Sequence, residues 1–255
     1  MAVQDPLDPP SIPITLPGPG GAHHHAICID TATSMAGLAL IEAGQVVGEL
    51  SWRVGRAHTE SLAVRLQGLA SASGYEIRRT TIVCVCTGPG SFNGIRTGMA
   101  TAFGLATGLG VPVYGSSSLD LLAFPHADRA PAQRAVLPAG RGAYYSALFG
   151  SRGGRWHRLA PYSIADLETL VAASPPKCLW CGALEQDDAV RLADLLGGAR
   201  RLVPPAHNVR RASYLLPLAL AAAAVGRQGS SDSVEPLYLR QPAITTPRAA
   251  SASGS

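Results

Sequence analysis

Two short stretches have the residue types and spacing for phosphate chemistry. Asp30-Thr-Ala-Thr-Ser34 puts a carboxylate at the end of an apolar run and small hydroxyl residues in the turn after it. Such a turn can hold a metal-bound water on its carboxylate and a phosphate on its hydroxyl and backbone N–H groups. The same residues also suit an ordinary solvated β-turn. Gly88-Pro-Gly-Ser-Phe-Asn-Gly-Ile-Arg96 is a glycine-rich loop in which positive φ and close backbone approach are permitted. A helix is predicted directly after it, with free N–H groups able to meet an anion; a plain strand-to-helix turn is the other reading. It is not a Walker A loop, which needs G-x-x-x-x-G-K-[ST], because Gly90 and Gly94 are four apart and Arg96 stands where no phosphate lysine would. Phe92 itself calls for a pocket or a partner, being an aromatic on a loop.

The remaining candidates are weaker. Cys178-x-x-Cys181 has metal-knuckle spacing, but residues three apart on a strand face opposite ways. Cys84 and Cys86 share a face without a second ligand pair, so these four and Cys28 read as small buried hydrophobes. His23-His-His25 has no acid or cysteine beside it, and His58 reads as a capping or solvated residue at a helix start. There is no G-x-S-x-G elbow and no H-E-x-x-H motif. No catalytic residue, metal site or cofactor is therefore expected.

Composition narrows the classes further. With 47% hydrophobic residues the 255-residue chain is not disordered throughout, and its scattered 28 glycines and 20 prolines exclude a coiled coil. A net charge of +4 lacks the dense positive field of an obligate nucleic-acid binder. Five cysteines, an odd number in a chain of this length, point to a reducing compartment and a cytoplasmic address. The longest uncharged apolar run, Ala212–Val225, contains Pro217 and falls short of the roughly 20 residues a membrane span needs. Asp5, Asp8 and several prolines argue against a signal peptide.

The elements that must position these motifs follow from periodicity. Ala26–Asp30, Gly37–Ile41 and Val46–Trp52 read as an antiparallel meander, followed by a helix over His58–Ser73, a strand at Thr81–Cys86, a helix over Ile95–Leu109 ended by Gly110, a strand at Val111–Tyr114 and a short helix at Ser117–Ala123. A similar series follows: strands at Ala135–Leu137, Tyr144–Phe149 and Trp156–Leu159, a helix start at Ser163-x-x-Asp166 with Ser163 as N-cap, a strand at Cys178–Cys181, a helix over Glu185–Leu196, a strand at Arg201–Val203, and a final helix over Arg210–Val225 kinked at Pro217. The tandem β-β-β-α-β-α-β-α order predicts an α/β protein of two related lobes. The expected divisions are a disordered Pro/Gly-rich tail at 1–25, lobes at 26–125 and 126–226, and a C-terminal segment with a flexible tail at 227–255. In the helix after the glycine-rich loop, Gly98, Ala102 and Ala106 share one face, and Thr97, Thr101, Gly104 and Gly108 an adjoining one. Glycine inside a helix costs about 1 kcal/mol relative to alanine. These small faces therefore require close packing, on another helix or on the protein's own sheet.

The chain resembles the TsaB (YeaZ) family of the TsaD-like superfamily. The resemblance rests on Ala26–Thr33, His58-Thr-Glu-Ser-Leu62, Thr87–Gly98, Gly104-Leu-Ala, Val111–Leu119 and Pro236-Leu-Tyr-Leu-Arg240. It implies a two-lobed actin/Hsp70-like fold. It also implies a non-catalytic role beside a TsaD-like subunit, which makes threonylcarbamoyladenosine at position 37 of tRNA with a TsaE-like ATPase. The pairing would use the helix from His58, with Leu62, and the loop and helix carrying Gly88, Pro89, Gly90, Ser91, Phe92, Gly94, Arg96 and Gly98; alone, the same face could form a homodimer. Asp30, Thr31 and Thr33 would be a vestigial phosphate hairpin. The stretch Gly115–Ala123, where the enzyme of the superfamily carries metal-binding histidines, has none. Pro138 stands where a second phosphate hairpin needs an acid, Ala32 replaces a glycine, and Asn93, in place of the usual Ser or Thr, serves as N-cap. The alternative is a stand-alone ATPase or kinase of the same fold; a metallopeptidase lacks ligands.

Overall fold

The computed structural model describes residues 12–13, 24–54 and 61–240. The strands are β1 (Ile12–Pro13), β2 (Ala26–Asp30), β3 (Met35–Glu42), β4 (Gln45–Arg53), β5 (Ile82–Cys86), β6 (Val113–Ser116), β7 (Ala132–Gly140), β8 (Ala143–Arg152), β9 (Arg155–Arg158), β10 (Ser163–Ala165) and β11 (Leu179–Gly182). The helices are α1 (Ser61–Ser73), α2 (Phe92–Leu109), α3 (Ser118–Ala123), α4 (Leu167–Ala172), α5 (Gln186–Leu195) and α6 (Leu215–Ala224).

Two sheets result. The first has the order β4-β3-β2-β5-β6, with β4, β3 and β2 antiparallel and β2, β5 and β6 parallel. Every residue of β2 and β5 is buried, as expected of central strands covered on both faces. Successive side chains of β2 face opposite ways. Ile29 meets α2 at Gly98, while Cys28 lies beside Leu216 of α6. The second sheet has the order β1-β9-β8-β7-β11, with β10 also paired to β8. Along β7, Ala135 and Leu137 join the large core shared with the first sheet, and Val136 joins a smaller one under α4 and α5 with Trp180, Leu167 and Leu192.

Two helices cross the divisions expected from sequence. The short helix α3, placed at the end of the first lobe, packs on β7, β8 and β11 of the second sheet. The last helix, α6, placed in the second lobe, packs on β6, β5 and β2 of the first. Each lobe thus covers part of the other's sheet, which merges their apolar faces into one core.

Four local expectations are corrected. Ser163 is in strand β10 and Asp166 caps α4, its carboxylate accepting from Thr169 N–H at 2.8 Å. The helix α6 begins at Leu215, so Pro217 is its third residue, where an N–H has no intrahelical partner and no kink arises. Instead of a strand at Arg201–Val203 there is a 3-10 turn (Ala199–Arg201) and a single bridge between Leu202 and Trp180. Ile12, within the expected disordered tail, is 2% exposed and pairs with Trp156 across β1 and β9. The periodicity missed a two-residue strand because its only signal is the aliphatic Ile12. His23, His58 and the tail at 245–255 lie outside the described residues.

Trp156 is fully buried, stacked on Phe149 at 4.4 Å and donating to Gln133 Oε1 at 3.0 Å. Ile12→Ala should therefore lower stability by about 2–3 kcal/mol through the cavity left over that cluster. Urea unfolding would measure it, and a loss within about 0.5 kcal/mol would mean that β1 contributes no packing.

Candidate functional site

The turn after β2 and the loop before α2 are built into each other. Asp30 ends β2 and is 1% exposed. One of its carboxylate oxygens accepts from Ala32 N–H at 3.0 Å, shaping the turn. The other accepts from Arg210 Nε at 2.8 Å, and the same guanidinium donates to Thr33 Oγ1 at 2.7 Å and Met35 O at 2.9 Å. Burial works against the Arg210 charge, and the Asp30 carboxylate more than offsets it, so the guanidinium holds its proton above the ordinary value. Arg211 and Ser213 clamp the neighbouring backbone to Glu49 on β4 at 2.5–3.0 Å.

The glycines of the loop are explained from the same turn. Ser91 N–H donates to Ala32 O at 2.6 Å, and Thr31 Oγ1 donates to Gly94 O at 2.6 Å. A Cβ at Gly90 would overlap Ala32 O, one at Gly94 would overlap Thr31 O, and one at Gly98 would overlap Thr31 Oγ1. The three glycines, four residues apart, let the turn lie directly on the first two turns of α2. Helix α2 starts at Phe92 with Ser91 as its N-cap, accepting from Gly94 N–H at 3.3 Å. Asn93 is therefore inside the helix and is not the cap.

The described residues expected to meet a partner differ in burial. Gly88, Pro89, Gly94 and Gly98 are buried, and Leu62 is 3% exposed in the core. Pro89 O accepts from Ser118 Oγ at 2.6 Å, and Gly88 O from Ser118 N–H at 2.7 Å. Ser91 and Arg96 are exposed, and Phe92 is half-buried between Arg96, 4.6 Å above its ring, and Tyr238 at 5.0 Å. The two small-residue faces of α2 divide cleanly. Gly98, Ala102 and Ala106 pack on the protein's own sheet, whereas Gly104 and Gly108 open to empty space beside exposed Ala100 and Thr107.

The stretch Gly115–Ala123 carries one acid, Asp120, in a reciprocal cap with Ser117 and in contact with Tyr162. These residues do not supply a histidine pair for a metal. The second hairpin turns at Arg141-Gly142, both at positive φ, with Pro138 inside β7. Burial pushes the thiols of Cys86, Cys178 and Cys181 up, and all five cysteines are buried and free. Sequence reasoning missed Arg210, Asp120 and Tyr162. Nothing local marks them, since Arg210 meets its partner 180 residues away.

Two lobes that share one core around a mixed and an antiparallel-dominated sheet define a two-lobed α/β class. Within it, the chain belongs to the family described as TsaD, tRNA N6-adenosine threonylcarbamoyltransferase, whose model matches residues 50–188. It is similar to the tRNA threonylcarbamoyladenosine biosynthesis protein TsaB of Escherichia coli, 27% identical over 228 residues, or 84% of this chain and 94% of that one. An uncharacterized protein of Mycobacterium tuberculosis is 35% identical over 98 residues, 38% of this chain and 46% of the relative, so the match spans about half the length of that protein. YeaZ from Pseudomonas aeruginosa shares the fold, with a TM-score of 0.69 at 22% identity, over 85% of this chain and all of that one.

Arg210→Ala leaves the Asp30 carboxylate buried and unpaired and should cost about 3–5 kcal/mol. Exchanging both partners, Asp30→Asn with Arg210→Met, should recover at least half of that loss in urea unfolding; a double variant no better than the single one would show that the pair is not the cause. For Asp120, burial raises the folded-state pKa from 3.8 to about 6. Its contribution to stability is present below 3.8 and is lost as pH rises through 6. Asp120→Asn should therefore gain about 3 kcal/mol on the natural chain between pH 3.5 and pH 7.5. A stability gap between the two chains that stays flat over this range would contradict the assignment.

Proposed function

We propose that this chain is a non-catalytic partner of a TsaD-like subunit, scaffolding the complex that adds threonylcarbamoyl to adenosine 37 of tRNA. A TsaE-like ATPase completes the complex, tRNA is its substrate, and the setting is the cytoplasm. Similarity over nearly the whole of E. coli TsaB supports the pathway. The non-catalytic role is carried by one observation: the only acid of the phosphate-type turn is bound by the chain's own Arg210, and the turn is filled by α2. A nucleotide phosphate or a hydrated cation would have to displace an interaction worth several kcal/mol.

The pairing surface of this reading is the outward face of α2, from Thr97 through Ala100 and Gly104 to Gly108. A Cβ at Gly104 or Gly108 would meet none of the described residues outside the helix within 4 Å, so a partner helix can approach the backbone closely there. Buried Gly98 is unsuited to test it, because any side chain there strikes Thr31.

Gly104→Arg should weaken binding of the TsaD-like subunit by about tenfold or more while leaving the melting temperature within a few degrees. Co-purification and titration calorimetry with the partner would measure it. Unchanged affinity would remove α2 from the interface, and Mg-ATP turnover by the isolated chain that is lost in Asp30→Asn would favour a stand-alone ATPase.

A further inference from the structure

Two of the chain's crossings between its sheets touch each other. The first, residues 124–131, leads from α3 into β7 and opens with a 3-10 turn at Phe124–His126. The second, residues 203–214, leaves the bridge between Leu202 and Trp180 and turns at Pro205–His207. It then delivers Arg210 to Asp30 and Arg211 to Glu49 on the first sheet. Within it, Asn208 Oδ1 accepts from Gly182 N–H of β11 at 3.0 Å, and Asn208 Nδ2 donates to Val203 O at 2.7 Å.

Three side chains meet where the crossings touch. Arg129 Nη2 lies 3.3 Å from Nδ1 of the exposed His207. A guanidinium can only donate, so His207 Nδ1 accepts and the neutral ring carries its proton on Nε2. His126, 3% exposed, lies close to both, and neither of its ring nitrogens has a hydrogen bond of good geometry. Buried polar side chains are nearly all bonded, so this ring is an exception. Protonation of His207 would remove the acceptor and set an imidazolium against a guanidinium. Protonation of His126 would bury a charge beside the same cation. We propose that His126, His207 and Arg129 form an acid-sensitive latch between the two crossings, closed while both imidazoles are neutral and released when they take up protons.

The surroundings of His126 support this direction. Burial and the Arg129 guanidinium hold the ring below its ordinary 6.5, with the His207 ring acting the same way. The His207 backbone and the Asp128 carboxylate favour the charged ring and are outweighed. The groups of β7 and β8 bonded to this crossing, Gln133 and Ser151, are neutral. With its folded-state value depressed, the latch contributes stability above 6.5 and loses it as pH falls from 6.5 through the folded-state value. Release frees the turn at Pro205–His207, opens the Asn208 bonds to water and loosens the approach of Arg210 to Asp30.

The test is hydrogen exchange of the full chain, read by mass spectrometry at pH 7.5 and pH 5 with the intrinsic rates divided out. Peptides covering 203–214 should exchange about tenfold faster at pH 5, the change that one pK unit of linkage produces, and peptides of β2 and β5 should change by less. In His126→Leu, and separately in His207→Gln, the acid response of 203–214 should shrink to about threefold or less. A merely structural role would speed exchange equally at both pH values and leave the ratio between them unchanged. Because His207 is exposed, its variant keeps the latch testable if His126→Leu does not fold. The latch is overturned if 203–214 responds to acid no more than β2 and β5, or if a folded variant responds as fully as the natural chain.

Discussion

The ion pair between Asp30 and Arg210 is the contact on which the rest of the architecture depends. Its members are 180 residues apart, one at the end of the first central strand and one just before the last helix. Both are almost fully buried, so neither tolerates the loss of the other. Because Arg210 also binds Thr33 and Met35, it fixes the shape of the turn as well as the entry of α6 onto the first sheet. The lobes share one core because that segment, clamped again by Glu49, is carried across from the second sheet to the first.

The same turn determines what the glycine-rich loop is for. A loop of this composition is suited to cradling phosphate, and here it cradles backbone. Thr31 and Ala32 occupy the space that Gly90, Gly94 and Gly98 leave clear, and two hydrogen bonds close the contact. Helix α2 is thereby held with one small-residue face against its sheet and the other turned outward.

Much of this was legible from the residue pattern. The meander, the strand before the glycine-rich loop, the end of α2 at Gly110 and the burial of the cysteines follow from local periodicity, turn chemistry and hydrophobicity. The misassignments arose where one local signal competed with another. Ser163 and Asp166 are both good caps, and the pairing of Ser163 with Ser146 on β8 decided between them. Pro217 suggested a kink, yet a proline is harmless in the first turn of a helix that starts two residues earlier.

The residues alone determined most of the succession of strands and helices, the place of the glycine-rich loop before a helix and the close packing at Gly98, because these depend on neighbours a few positions apart. Which face of α2 is buried, which lobe each of α3 and α6 covers, and which side chains meet Asp30 and Asp120 were decided only in three dimensions. Those contacts join residues as much as 180 positions apart, and no periodicity records a partner at that separation.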